Sequence, residues 1–265
     1  MSVWVFKNTL KRSWKLLLIF FVVLCFYLSV IISLINPDDM EKIKELYGTM
    51  GNLLPAFGIS IASMTSPLSY TASTFFGILV MAFTMVFYII QANNLIAKPV
   101  DDTSIVYILS TPITRTKLII TQGIYLIFSL LVLFLGILAT GSAILSGFGN
   151  FDFMAYLNLV SITFLLCTAI AMLSFFLSVA FCDTKLGTIL GTGVPIGLLI
   201  ISMLGGAGGD STKWLKRVSP FGWIDSVRIV NGDISTWWMY PAFAGIIVIL
   251  FISSIVVFNK KRLPI

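Results

Sequence analysis

The feature that most constrains this chain is a series of apolar runs, each about 20 residues or longer, that contain no Lys, Arg, Asp or Glu. Helices of this length cross a bilayer, whereas the strands of a membrane barrel alternate apolar and polar residues. A chain that is 58% hydrophobic and 11% charged, with a mean hydropathy of +1.03, is far too apolar for a soluble domain. We therefore expect an all-α integral membrane protein.

The runs predict six transmembrane helices in a single domain over residues 1–265. The expected spans cover about residues 16–35, 71–90, 118–145, 153–181, 186–204 and 239–258. The length of span three is compatible with a tilt, or with a partial break near Gly136 or Gly141. In span five, Gly187 and Gly191 predict close helix packing, and Pro195 allows a kink.

Six spans place both termini on one side of the bilayer, and the basic residues decide which side that is. The side that holds the termini carries most of the 17 Lys and Arg residues, so we expect both termini in the cytoplasm. The inner set is Lys7, Lys11, Arg12, Lys15, Lys98, Arg115, Lys117, Lys185, Lys260, Lys261 and Arg262. The outer set is Lys42, Lys44, Lys213, Lys216, Arg217 and Arg228. The sequence leaves open whether the outer loops, residues 36–70 and 205–238, are re-entrant.

The N-terminal residues 1–15 have a basic side and an apolar side when they are drawn as a helix. This pattern predicts an amphipathic helix that lies flat on the inner membrane surface, although a plain topology signal explains the same charges. The basic positions are Lys7, Lys11, Arg12 and Lys15, and the apolar positions are Val3, Phe6, Leu10 and Trp14.

A polar island, residues 101–115, separates the second and third apolar runs. Asp102 or Thr103 is a suitable N-cap, and apolar residues then recur with helical spacing until a proline ends the pattern. The island therefore predicts a short amphipathic helix at the membrane surface, and the alternative is an ordinary solvated connection. The apolar positions are Ile105, Ile108 and Leu109, and the proline is Pro112.

The types of residue present exclude several function classes. The chain has no histidine, which removes imidazole-based nucleophile systems, proton relays and metal sites of the HExxH type. No Walker A motif is present, and no charged residue lies in the middle of a predicted span to couple an ion gradient. We expect no enzyme activity, no metal and no bound cofactor. A polar substrate path remains possible along Thr84, Tyr88, Thr140, Ser142 and Asn158, with Thr163 and Thr168 nearby.

Three short motifs resemble those of ABC-2 type permeases, the membrane subunits of ATP-binding cassette exporters. Such permeases carry an acidic, Thr-containing segment after span two that ends in a leucine, a proline and an arginine. Leu109, Pro112 and Arg115 stand here with the spacing Leu-x-x-Pro-x-x-Arg. A Ser-Pro-Phe segment, Ser219 to Phe221, precedes the last span in a similar way. The basic tail ending in Leu-Pro-Ile is also similar, although Arg262 stands where such tails often have an acidic residue.

The resemblance implies a function, its partners and the residues that meet them. The chain would pair with a second copy or a paralogue, and two separate ABC ATPase subunits would bind ATP and Mg and drive export from a bacterial plasma membrane. No nucleic acid is involved. The scarcity of charge favours an amphipathic or apolar cargo such as a peptide, toxin or drug. The residues that couple to the ATPase would be Asp101, Asp102, Thr103, Ser104, Ile105, Ile108, Leu109, Pro112 and Arg115.

The main competing hypothesis is a membrane sensor or immunity protein that binds a peptide and transports nothing. An intramembrane enzyme is disfavoured by the absence of histidine and of intramembrane carboxylates.

Overall fold

The computed structural model describes residues 3–34, 66–101, 114–148, 151–181, 184–207 and 212–260, and the regular structure in these ranges is helical. Six of the helices are long and apolar enough to cross a membrane, which makes the chain a multi-pass membrane protein.

We number the helices in chain order and give their bounds here. They are α1 (Val3–Ser33), α2 (Pro67–Thr74), α3 (Val80–Ala92), α4 (Lys98–Asp101), α5 (Arg115–Leu145), α6 (Phe153–Phe181), α7 (Thr184–Ala207), α8 (Lys213–Val218), α9 (Ser226–Val230) and α10 (Met239–Lys260). Two π-helical stretches, Phe75–Leu79 and Asn93–Ala97, join α2, α3 and α4 into one continuous helical segment that forms span two. Short 3-10 turns cover Ser146–Phe148 and Pro220–Trp223.

Polar side chains define where several helices begin. Ser66 caps α2 by accepting a hydrogen bond from the Ser69 backbone at 3.1 Å, and Pro67 follows at the first turn, where its missing N–H costs nothing. Thr114 caps α5. The carboxylate of Asp152 caps α6, accepting from the backbone of Met154 at 2.9 Å.

Helix α6 lies at the centre of the bundle, where it packs against α3, α5, α7 and α10. It is apolar on all sides, as expected of a helix that is surrounded by other helices. Helices α1, α7 and α10 lie at the periphery, and their outer faces expose large apolar side chains such as Phe26, Ile189 and Ile249. A membrane protein directs such faces toward lipid or another membrane helix.

Span one differs from the prediction at its start. One uninterrupted helix runs from Val3 to Ser33, so the N-terminal residues do not form a helix separate from span one. The packed face is also different, because Val5, Thr9 and Ser13 are buried while Val3 and Trp14 are exposed. Small hydroxyl side chains can pack against another helix in a bundle, which is why the polar pattern was misleading.

Span two is longer than predicted at both ends. The residues 91–94, which follow the predicted end of the span, continue the helix, and Gln91 is buried. A buried amide is tolerated here because its nitrogen donates to the Tyr125 hydroxyl at 3.2 Å. Span three begins at Arg115 and is unbroken at Gly136 and Gly141.

The last three spans agree well with the prediction. Span four covers Phe153–Phe181 as expected, span five extends a few residues beyond both predicted ends, and span six ends at Lys260. In span five, Gly187 and Gly191 lie against α6, as their spacing predicted.

Residues 212–238 pack back against the bundle, and we call them the fold-back segment. The Ser219 hydroxyl donates to the Leu198 carbonyl in α7 at 2.8 Å, and the Ser226 hydroxyl donates to the Phe76 carbonyl in span two at 3.3 Å. Leu198 lies about 13 Å from the end of α7 at a rise of about 1.5 Å per residue. The segment therefore folds back along α7, well below the end of that helix.

Candidate functional site

The structure fixes both ends of the polar island. The backbone of Asp101 ends α4, and Arg115 begins α5. The hydroxyl of Thr116 donates to the side-chain oxygen of Asn259 at 3.1 Å, so the end of the island also lies beside the end of α10. The remaining predicted coupling residues lie outside the described residues; they are Asp102, Thr103, Ser104, Ile105, Ile108, Leu109 and Pro112.

The end of the bundle that holds the island is strongly basic. Among the side chains described there, none is acidic; the basic ones are Lys7, Lys11, Arg12, Lys15, Lys98, Arg115, Lys117 and Lys260. Among the side chains described at the opposite end, the two signs are balanced, with Lys216, Arg217 and Arg228 against Asp152, Asp225 and Asp233. This asymmetry would attract an anionic surface or partner to the island end.

A cleft opens at the basic end between α1, the end of span two and the start of α5. Its described lining has six polar and four apolar residues: Trp4, Val5, Asn8, Thr9, Arg12, Ser13, Asn94, Leu95, Pro99 and Gln122. We call it the N-terminal cleft.

Helical spacing explains which side chains of α1 reach the cleft. Residues four apart lie on the same face of a helix. The stripe of residues 5, 9 and 13 packs on the bundle and is buried. The neighbouring stripe of residues 4, 8 and 12 lines the cleft. The lysines at 7, 11 and 15 form a third stripe that is exposed and does not line it.

Polar side chains continue from the cleft into the bundle. Thr9 donates to the side-chain oxygen of Gln122 at 3.4 Å. Ser13 lies beside the hydroxyl of Tyr125, which also accepts from Gln91. These contacts tie α1, α3 and α5 together by hydrogen bonds rather than by apolar packing alone.

Sequence reasoning missed Gln91 and Gln122 as structural residues. They are the chain's two glutamines, and both are buried although both lie within or beside an apolar run. An amide in such a position needs a partner inside the bundle, because lipid provides none. That requirement was the signal that could have identified them.

The predicted substrate-path residues fall into two separate groups. Thr84 and Tyr88 share one face of α3 and are buried beside Cys167. Thr140, Ser142 and Asn158 lie toward the opposite end of the bundle, near the ends of α5 and α6 that face the fold-back segment.

Thr84, Ser142 and Asn158 each make a hydrogen bond within the bundle. Thr84 donates to the Val80 carbonyl, and Ser142 donates to the Ala139 carbonyl at 3.1 Å. Asn158 accepts from the Tyr240 hydroxyl at 2.8 Å, which fixes α6 to the start of α10. Asn158 therefore has a structural task, and its role in a path stays a prediction.

Comparison with known proteins adds no family. No protein-family model matches the sequence, and no curated protein sequence matches it.

Proposed function

We propose that this chain is the membrane-spanning permease subunit of an ABC-2 type exporter and that a separate ATPase supplies its energy. The observation that carries the proposal is the distribution of charge. None of the described Lys, Arg, Asp or Glu side chains is buried, so the described core offers no ionisable group for coupling to an ion gradient. An active transporter with such a core takes its energy from a partner.

The position of the polar island supports the same proposal. It joins spans two and three at the basic end of the bundle, beside the start of α1 and the end of α10. A partner that pushed on this segment would act on α3 and α5, which hydrogen bonds tie to each other and to α1. A force on the two described ends of the island would therefore be transmitted to α1, α3 and α5 together.

The basic end faces the cytoplasm in this proposal, and the membrane is the bacterial plasma membrane. The excess of basic side chains at that end agrees with the positive-inside rule, whereas the balanced opposite end suits the outer surface. The cargo is an amphipathic or apolar molecule such as a peptide, toxin or drug, since the described spans bury no charge to bind an ionic one.

The functional unit would contain two permease chains and two ATPase subunits. Helices α1 and α7 expose apolar faces at the periphery, and around Gly193 and Gly197 in α7 no other atom lies near the missing Cβ. Open glycines let another helix approach closely. We therefore place the contact between the two permease chains partly on α1 and α7.

Charge reversal in the island tests the proposal directly. We expect Asp102→Lys combined with Thr103→Arg to insert and fold normally but to lose copurification of an ATPase and vanadate-sensitive ATP hydrolysis. The matched control is Asp233→Lys, which reverses an exposed charge at the opposite end. Transport by the island variant at the parent rate would contradict the proposal. Peptide binding without any copurifying ATPase would favour the sensor or immunity protein instead.

A further inference from the structure

The N-terminal cleft has the lining of a site for a phosphate headgroup. Among the described residues that line it, Arg12 is the one with a charged side chain, and Asn8, Asn94 and Gln122 add amide groups. From this cleft we infer a binding site for one anionic phospholipid, with its headgroup phosphate beside Arg12. The inference does not depend on the proposed exporter function.

The charge of Arg12 is uncompensated in the part of the chain that the structure describes. None of the described carboxylates lies at this end, and no described residue forms an ion pair with Arg12. A guanidinium presents a planar pair of N–H groups that matches two phosphate oxygens, and it carries its charge at every physiological pH. An anion is the ligand that satisfies such a group.

The amide groups of the lining can complete the coordination of a phosphate. The oxygen of Gln122 accepts from Thr9 at 3.4 Å, which leaves its N–H groups available as donors. No hydrogen bond among the described residues occupies the side chains of Asn8 and Asn94. One cation with several neutral donors is a suitable lining for a phosphodiester, which bears a single negative charge.

The position of the cleft along α1 favours a lipid over a soluble anion. Helix α1 has 31 residues, which corresponds to about 46 Å, whereas the hydrocarbon core is about 30 Å thick. The basic first turns therefore extend into the headgroup layer. Trp4 at the rim is exposed, and tryptophan prefers this layer.

The rim of the cleft adds apolar surface for the same ligand. Val5, Leu95 and Pro99 face the cleft but are already buried, so the free apolar surface there belongs to the exposed Trp4. A free phosphate gains nothing from that ring, whereas the glycerol and first acyl carbons of a lipid bury apolar surface against it. Basic pockets between transmembrane helices bind anionic headgroups in this manner.

The test compares two neighbouring cations of α1. Arg12 lines the cleft and Lys11 does not. Arg12→Gln and Lys11→Gln therefore each remove one positive charge from adjacent exposed positions, of which only the first has access to the cleft. The purified full chain is exchanged into nanodiscs of phosphatidylglycerol and phosphatidylcholine. The lipid retained after transfer to detergent is then quantified by native mass spectrometry, in salt of about 1 M, where the Debye length is about 3 Å and surface attraction is screened.

We expect the parent and Lys11→Gln to retain one phosphatidylglycerol per chain in preference to phosphatidylcholine. Arg12→Gln should lose about ten-fold in that preference, equivalent to about 1.4 kcal/mol. Asn94→Leu, which keeps the charge but removes an amide from the lining, should also lower it. Equal loss in the two charge variants, or no preference in the parent, would overturn the inference.

Inorganic phosphate is the second probe, because it carries the same chemistry without acyl chains. We expect millimolar phosphate to leave the retained lipid in place. Displacement of the lipid, with an equal effect of phosphate on the melting temperature, would show a site for a soluble anion and would also overturn the lipid assignment. Exporter activity is not read in either experiment, so the outcome is independent of the proposed function.

Discussion

At the scale of single residues, two glycines in α5 show how closely the helices approach. A Cβ added to Gly136 would overlap the ring of Phe21 in α1, and one added to Gly141 would overlap the hydroxyl of Tyr156 in α6. That hydroxyl also donates to the Ile137 carbonyl at 2.8 Å. The glycines are therefore contact points for aromatic rings, and the helix continues through both without a break.

We expect Gly141→Ala to lower the free energy of unfolding by about 1–3 kcal/mol, because the new methyl group displaces the Tyr156 ring from a packed core. Thermal unfolding in detergent measures the loss. Gly245→Ala in α10 is the control, since its Cβ would meet open space and should cost nothing. Tyr156→Phe in the Gly141→Ala background should recover part of the loss by removing the overlapping hydroxyl. Additive losses in the double variant would contradict this assignment.

Two buried tyrosines differ in whether the hydroxyl has a hydrogen-bond partner. The Tyr125 hydroxyl accepts from Gln91, whereas the buried Tyr88 hydroxyl has no hydrogen-bond partner among the described residues. A buried polar group without a partner costs stability, and native proteins retain such groups where they have another role. The unpartnered hydroxyl therefore supports Tyr88 as a candidate for contact with a cargo.

We expect Tyr125→Phe to destabilise the fold by about 1–2 kcal/mol, because it leaves the Gln91 amide buried and unpaired. Tyr88→Phe should leave the melting temperature unchanged or raise it, since only an unpartnered hydroxyl is lost. If Tyr88 contacts the cargo, that variant should transport more slowly at unchanged stability. Equal destabilisation by the two substitutions would show that both hydroxyls are structural.

At the scale of helices, the sequence predicts what depends on continuous hydropathy and misses what depends on a partner helix. Span four matches residue for residue because it is apolar on every side and an Asp152 cap precedes it. In the early turns of α1 and in residues 91–94, polar side chains continue a helix, and some of them bond to another helix. The Thr9 hydroxyl bonds to Gln122, and the Gln91 nitrogen bonds to Tyr125. The hydropathy of a residue depends on its own side chain alone, so it does not reveal a hydrogen-bond partner on another helix.

The candidate site was predictable only in part for the same reason. The basic residues at the end that holds the termini follow from the sequence, since charge is excluded from the spans. The N-terminal cleft does not follow, because it forms where α1, span two and α5 converge. The sequence shows Lys11 and Arg12 as two adjacent basic residues. The structure shows that Arg12 lines the cleft and Lys11 does not.

The fold-back segment provides a prediction at this scale. Val227 is buried against the bundle, whereas Asp233, six residues further along, is exposed. We expect a water-soluble maleimide to label Val227→Cys at least about ten-fold more slowly than Asp233→Cys, because labelling requires local opening that costs about 1.4 kcal/mol or more. Both are made after Cys25, Cys167 and Cys182 have been replaced by Ala. Equal rates would mean that the segment does not remain packed in the membrane.

At the scale of the whole molecule, the charge asymmetry and the apolar belt define an orientation. The peripheral helices α1, α7 and α10 present apolar faces around the bundle. The basic side chains cluster at one end, and the opposite end carries both signs. Each basic residue near an anionic membrane surface contributes about 1 kcal/mol, and this difference between the two ends is the basis of the orientation that we propose.

Labelling in intact cells tests this orientation with one position at each end. In the same cysteine-free background, we expect an impermeant maleimide to react with Asp233→Cys in intact cells and with Lys98→Cys only after permeabilisation. Both side chains are exposed, so a difference in labelling reports the side of the membrane and not burial. Reaction of Lys98→Cys from outside would invert the topology. The polar island would then face away from the cytoplasm, where no ATPase could reach it, and the exporter proposal would fall with the orientation.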